Sequence, residues 1–251
     1  MSPCNGQGDL EGRLSFRYRK EPWLPGVLQD IAKNHAQIHE VGCGQGTDGI
    51  YLCRHLAHDG QYVGIDYSEK SVEIAINSSL VVSEPLPVMP EFYQGNAEAL
   101  PFEDDSIECI YSMGVIHHTP DTEKAAQEIR RVLKPNGKAY VFIYNVGSPK
   151  VGIAKFLRAF QSLVDRILGT RRIIYELILG RHLEGFLGTM LLECFGVPHM
   201  KWYRRSEVHK LFSGLTIKSL RPYGYNLPMF NQTGSGNARF GVFWFVELEK
   251  E

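Results

Sequence analysis

The sequence lacks several features that would place a chain in a class at once. Its five cysteines, Cys4, Cys43, Cys53, Cys109 and Cys194, contain no C-x-x-C pair and are odd in number, which argues against a disulfide framework and a zinc site. Neither charge is in excess. The 27 basic residues face 28 acidic ones, a net charge of -1, so no global positive field would hold the chain on a nucleic-acid backbone. A small-molecule partner is expected instead, although this balance leaves room for a local basic patch. No uncharged apolar run approaches the roughly 18–20 residues that span a bilayer. The polar, glycine-containing stretch Met1–Gly12 lacks the apolar run of a signal peptide. No internal repeat or low-complexity segment is present. Together with Cys53 and Cys109 lying inside apolar patterns, these absences point to a soluble protein of the reducing cytoplasm.

What is present is enough for a sizeable core. Of the 251 residues, 43% are hydrophobic and 22% charged, which suits one domain carrying an insertion. Up to about residue 146 strand and helix patterns alternate. Gln37–Val41 is a short apolar run ending in glycines, followed by a helical pattern over Thr47–Ala57. Gln61–Asp66 reads as the second strand, with Ser68 as N-cap of the next helix. Prolines 85, 87 and 90 break that helix before a short strand, Glu91–Gln94. Ile107–Ser112 is a fourth strand, a helix runs from about Asp121 to Leu133, and Lys134–Gly137 is a turn before the strand Lys138–Tyr144. Such alternation predicts a parallel sheet with helices on both faces.

The pattern then changes. Residues 148–205 are mostly helical in pattern, with apolar stripes through Ile153, Phe156, Leu157, Phe160, Val164, Ile167 and Leu168, and further patches at Ile173–Ile178 and Phe186–Leu191. These stripes fit core, a homodimer contact or a lipid-facing surface. A helix from Ser206 and β-rich segments at Thr216–Tyr223 and Gly241–Glu249 close the chain. The expected organisation is a segment or lid at 1–21, a core at 22–147, a helical cap at 148–205 where substrate identity resides, and a return to the core at 206–251.

Three segments carry chemistry. Glu40-Val41-Gly42-Cys43-Gly44-Gln45-Gly46 joins a strand to a helix. Glycines there let a ligand approach backbone closely, and helix N–H groups favour negative charge. A tight strand-to-helix turn with no ligand fits the same residues, and Gly44, Gly46 and Gly49 formally match the dinucleotide pattern G-x-G-x-x-G. Asp66, ending the second strand, can accept hydrogen bonds from ribose hydroxyls, or it can cap the following helix. The third signal is Gly95–Phe102 with Ser112–Asp121, where Asn96 and the Ala97 N–H can read an adenine edge. Ser112 and Met113 are placed to line the cofactor.

With these motifs the chain resembles the class I S-adenosylmethionine-dependent methyltransferases, in the type 11 subgroup typified by small-molecule and quinone-biosynthesis enzymes. The matching pieces are EVGCGQGTDGIYL, YVGIDYSEKSVEIA, GNAEALPFEDDSIECIYSMGVIHHTPD and RVLKPNGKAYVFIYN, collinear over about residues 36–146. The resemblance implies a seven-stranded Rossmann-like sheet of order 3-2-1-4-5-7-6 with the last strand antiparallel. It implies that Glu40, Gly42, Cys43 and Gly44 frame the methionine part of S-adenosylmethionine, that Asp66 binds ribose beside Tyr67, and that Asn96 and Ala97 contact adenine. Many relatives carry Asp where this chain has Asn96.

Methyl transfer needs an aligned acceptor and a dry site, and a base only where the acceptor must lose a proton. His117 and His118 are the candidate bases, with loop-organising roles as the alternative. Tyr18, within Phe16–Arg19 and ahead of a helix from about Pro22, is either a lid residue or a surface aromatic. Tyr144 and Asn145 are expected at the substrate mouth, with Tyr203 beyond them. No metal is expected. Two competing readings are a nicotinamide-dependent oxidoreductase, which leaves Gly95–Phe102 unexplained, and a protein that binds S-adenosylmethionine without transferring methyl. A nucleic-acid methyltransferase is disfavoured by the neutral balance and by Ser112-Met113-Gly114-Val115 standing where an Asn/Asp-Pro-Pro-aromatic motif would be.

Overall fold

In a computed structural model, which describes residues 6–168, 199–224 and 240–251, short apolar strands and amphipathic helices assemble into one doubly wound sheet. Seven strands are present among the described residues: β1 (Gln37–Val41), β2 (Gln61–Asp66), β3 (Glu91–Gln94), β4 (Ile107–Met113), β5 (Leu133–Tyr144), β6 (Thr216–Tyr223) and β7 (Phe243–Glu249). Their order is β3-β2-β1-β4-β5-β7-β6. The first five run parallel, and β7 lies antiparallel between β5 and β6, pairing Val141 with Val246 on one side and Leu220 with Val246 on the other.

The two faces of the sheet collect separate cores. Along β4, Cys109, Tyr111 and Met113 alternate with Ile110 and Ser112, as strand geometry requires. The first set joins Phe142, Tyr144 and Phe245 beneath the helices α2 (Leu24–Asn34), α3 (Thr47–Cys53) and α4 (Glu69–Leu80) and the start of α6 (Pro149–Leu168). Across the sheet, Ile110, Ala139, Val141, Ile143 and Val246 pack under α5 (Thr122–Val132) and α7 (Arg205–Leu211). Each fully buried large apolar side chain contributes roughly 1.5–3 kcal/mol, so neither face can be left uncovered.

Four expectations need correction. The N-terminal stretch is itself a helix, α1 (Gln7–Lys20), whose Leu10 and Leu14 are buried beside Ile50. Its apolar positions are too sparse to announce it. The helix after the glycine loop stops at Cys53, short of Ala57. Lys134–Gly137 is a bulge inside β5: Ile107 pairs with Leu133 and Cys109 already with Lys138, and Asn136 takes a φ of 63°. The last strand begins at Phe243 rather than Gly241. The patches at Ile173–Ile178 and Phe186–Leu191 lie outside the described residues.

Strand order reverses between β1 and β4. A crevice at the carboxyl ends of strands opens at such a switch point, and it is where sheets of this type take ligands.

Candidate active site

The loop leaving β1 is bent by glycines with left-handed backbone. Gly42 has φ 85° and lies so close to the Val115 side chain that a Cβ would overlap it. Gly44, at φ 53°, is the opposite case: a Cβ there would meet no protein atom within 4 Å. The loop is closed from below by Gly42 and Cys43 N–H groups donating to the Ile65 carbonyl at 2.7 and 2.9 Å. Space is therefore kept open on the outer side of Gly44, a cradle that any side chain would fill.

Asp66 sits at the end of β2, half-buried. Its Oδ2 accepts from the Gly44 N–H and its Oδ1 from the Ser68 N–H, both at 2.9 Å. Each oxygen keeps acceptor capacity, since a carboxylate offers about four lone-pair sites. The cap of α4 is made by Ser68, whose hydroxyl accepts from Ser71 N–H. Asp66 thus ties the glycine loop to the second strand and still presents acceptors outward. Tyr67 beside it is 77% exposed. Asn96 is exposed at the end of β3, its Oδ1 accepting from Glu98 N–H at 2.9 Å, with Ala97 half-buried next to it.

Beneath the loop lies a polar cluster that sequence reasoning caught only in part. Glu40 is buried, accepts from the Tyr62 hydroxyl, and is pushed well above the usual carboxylate range by burial and by Asp48 nearby. Asp48, in the first turn of α3, accepts from Tyr111 Oη at 3.0 Å, from Tyr18 Oη at 3.3 Å and from the Arg17 guanidinium at 2.8 and 3.2 Å. Burial opposes the Arg17 charge, but the Asp48 carboxylate outweighs it and keeps the guanidinium protonated. Arg17 Nη2 also lies 3.2 Å from Met113 Sδ. Tyr18 is accordingly not a surface aromatic: its ring packs edge-on against Tyr51 at 4.8 Å, half-buried over Asp48. Arg17, Asp48, Tyr62 and Tyr111 were missed because no local spacing joins them. The one signal was an acidic residue just after the glycines, which once buried requires a partner.

The third part is an aromatic stack on the turn Ile116–His118 after β4. His117 is fully buried, its ring 4.1 Å from that of Tyr144 and 4.2 Å from that of His118. Burial, helped by neighbouring His118, lowers its pKa well below the usual value, so it is neutral, and neither ring nitrogen has a described hydrogen-bond partner. His117 is thus a neutral, fully buried ring packed between Tyr144 and His118. His118 is half-exposed, and its Nδ1 lies 2.9 Å from the His199 carbonyl. A carbonyl only accepts, so Nδ1 donates and the neutral ring carries its lone pair at Nε2.

Three expected residues turn away from this crevice. Ser112 is fully buried and donates to the Val41 carbonyl at 2.9 Å, on the α5 side of the sheet. Asn145 spends its side chain on backbone, donating to Gly241 O and accepting from Gly147 N–H, both at 2.9 Å. The Tyr203 backbone pairs beside Asn145, but its ring packs with the α5-side core. Among the described residues no group of three metal-ligating side chains converges.

Residues 39–141 match the family described as a methyltransferase domain. The phthiotriol/phenolphthiotriol dimycocerosates methyltransferase of Mycobacterium tuberculosis is 30% identical over 184 residues, which cover 68% of this chain and 64% of that one. The demethylmenaquinone methyltransferase of Lactococcus lactis is 37% identical over 131 residues, 52% of this chain and 49% of that one. The chain thus spans only part of the length of the curated relatives it matches. A solved S-adenosylmethionine-dependent methyltransferase from Thermotoga maritima superposes with a TM-score of 0.57 at 17% identity, over 95% of this chain and 99% of that one, a likeness of fold. The strand order and the glycine loop at its switch point define a class I methyltransferase fold. Within that fold, the likeness of sequence to the methyltransferase-domain family is carried by residues 39–141.

Proposed function

We propose that this chain is an enzyme that transfers a methyl group from S-adenosylmethionine to a small-molecule acceptor of apolar character, in the cytoplasm. The observation that carries the reading is placement: the Gly42–Gly46 loop, Asp66, Asn96 with Ala97, and Met113 stand at or just beyond the carboxyl ends of the neighbouring parallel strands β1, β2, β3 and β4, in a chain whose residues 39–141 match the methyltransferase-domain family. The open side of Gly44 and the outward acceptors of Asp66 fit a ligand with a ribose and an extended tail. S-adenosylmethionine, when bound, supplies a methyl group activated by its sulfonium.

The protein's own tasks are positioning and exclusion of water, and orientation alone can contribute on the order of 7–11 kcal/mol. Asp66 would hold the ribose hydroxyls of the cofactor, Asn96 and Ala97 its adenine, and Glu40 would serve its methionine portion. Tyr18 and Met113 would cover that portion. His118, with its lone pair at Nε2, takes a proton from a hydroxyl or carbon-acid acceptor, while neutral His117 and Tyr144 form an apolar wall.

Acceptor character draws support from two sides. The two relatives named above are called methyltransferases of phthiotriol/phenolphthiotriol dimycocerosates and of demethylmenaquinone. Helix α6 exposes Ile153, Phe156, Phe160 and Leu163 along one stripe, opposite the buried Val151 and Ala154. A homodimer through the 148–205 region is the second reading of that stripe, and a monomeric mass in solution would remove it. The buried free thiols Cys43, Cys53 and Cys109 support a reducing compartment.

The test is methyl transfer from labelled S-adenosylmethionine to a panel of hydroxylated acceptors running from water-soluble phenols to quinols and lipid alcohols. Label incorporation that rises with acceptor apolarity supports the reading. Failure of every acceptor while the cofactor binds would favour a binding protein without transfer.

A further inference from the structure

The chain leaves the sheet after β5 to enter α6 at Pro149, and residues 199–203 lie back against the sheet. This short segment is hydrogen-bonded on two sides. Toward β5, the Tyr203 N–H donates to the Tyr144 carbonyl at 2.9 Å, and the Tyr203 carbonyl accepts from the Val146 N–H at 3.1 Å. Toward the turn after β4, the Lys201 N–H donates to the His117 carbonyl at 2.9 Å and the Lys201 ammonium to the Pro120 carbonyl at 3.0 Å. The His199 carbonyl meets His118 Nδ1 at 2.9 Å. Met200 is buried in the core, and the Trp202 ring takes the Lys155 ammonium of α6 at 4.8 Å from its centroid.

The chemistry open to His118 depends on these contacts. A neutral imidazole has one proton for two nitrogens, and the hydrogen bond at one nitrogen sets the role of the other. The His199 carbonyl keeps the proton on Nδ1 and so leaves the lone pair at Nε2. A ring protonated at Nε2 instead would have nothing there to accept with. That carbonyl is backbone, and it stays at Nδ1 only while residues 199–203 keep their register with the turn. Lys201, two residues on, grips the turn on either side of His118, at His117 through its backbone and at Pro120 through its side chain. The backbone bond is open to almost any residue, whereas the ammonium is specific to lysine.

We propose that Lys201 is a positioning residue for the methyl-transfer reaction: it holds the His199 carbonyl on His118 and so keeps Nε2 of the base aimed and unprotonated. Through Trp202 and Lys155 the same segment ties the base to α6, where the acceptor region begins. This inference rests on His118 acting as the base.

A double-mutant cycle on turnover of the best hydroxylated acceptor separates alignment from mere support. Lys201→Met should lower kcat about tenfold, the scale of one lost hydrogen bond from a charged group, with S-adenosylhomocysteine affinity within about twofold of the wild type. Lys201→Arg keeps a charged donor and should recover most of the loss. In a His118→Ala background, Lys201→Met should change kcat by less than about twofold, because the ring it aligns is gone. An equal loss in both backgrounds would make Lys201 a structural support and overturn the proposal, as would no loss in the wild-type background. If no acceptor were turned over, or if His118→Ala left turnover unchanged, the reading beneath this one would fall and take it along.

Discussion

Glu40 is 3% exposed beneath the glycine loop, and its carboxyl is raised well above the usual range by burial and then by Asp48, against the opposing pull of Tyr62 and Arg17. A carboxyl whose folded pKa exceeds its unfolded one contributes stability below the unfolded pKa, and loses it as pH rises toward the folded pKa. Each unit of that rise is worth about 1.4 kcal/mol. Glu40→Gln keeps the acceptor for Tyr62 and removes the ionisation. Its denaturation midpoint should therefore gain on the wild type between about pH 5 and pH 8, by roughly 1 kcal/mol or more. A difference that did not change with pH would refute the assignment. His118 carries the other residue-level prediction. His118→Ala should lower turnover by about a hundredfold or more, the usual contribution of a general base, while S-adenosylhomocysteine affinity stays within about twofold. Unchanged turnover would remove His118 as a base.

The loop from Gly95 to Asp105 is held by another element. Arg131, on α5, donates to the Leu100 and Phe102 carbonyls at 3.0 and 2.8 Å and pairs with Asp104 and Glu128 at 2.7 Å. Glu128 in turn accepts from the Leu100 N–H at 2.8 Å. Hydrogen bonds to charged groups contribute roughly 1.5–3 kcal/mol each at best, and partial exposure of Arg131 places its net effect near the lower end. Arg131→Ala should therefore cost about 1–2 kcal/mol in chemical denaturation and weaken S-adenosylhomocysteine several-fold through the displaced Asn96 and Ala97. Stability loss with no change in affinity would separate this loop from the site. Helix α1 shows how elements escape a sequence reading. Leu10 and Leu14 are its two fully buried residues, so its period is faint, and its order comes also from Arg17 on Asp48 and Arg54 on Glu11, contacts between distant positions.

At the scale of the whole molecule, the sheet was legible because β2, β4 and β5 are short, largely apolar runs between helical patterns, as strands buried on both faces must be. The antiparallel β7 came from resemblance rather than pattern, and β5 ran longer than expected because Lys134–Gly137 bulges without ending the strand. The glycine loop and Asp66 could be found locally, since close backbone approach and a strand-end carboxylate leave marks at fixed spacing. Ser112, Asn145 and Tyr203 could not be oriented that way. Which side of a strand a residue faces was readable, but which side holds the ligand depends on the packed helices. The Arg17–Asp48–Tyr111 cluster joins α1, α3 and β4, and only the completed fold brings it together.

The most direct test of the account is a calorimetric titration of the purified chain with S-adenosylhomocysteine, with NAD as parallel ligand and Asp66→Ala as paired variant. The account predicts micromolar binding of S-adenosylhomocysteine, none of NAD, and loss of most of that affinity in the variant. Binding of NAD with no binding of S-adenosylhomocysteine would contradict it and return the glycine loop to a dinucleotide role.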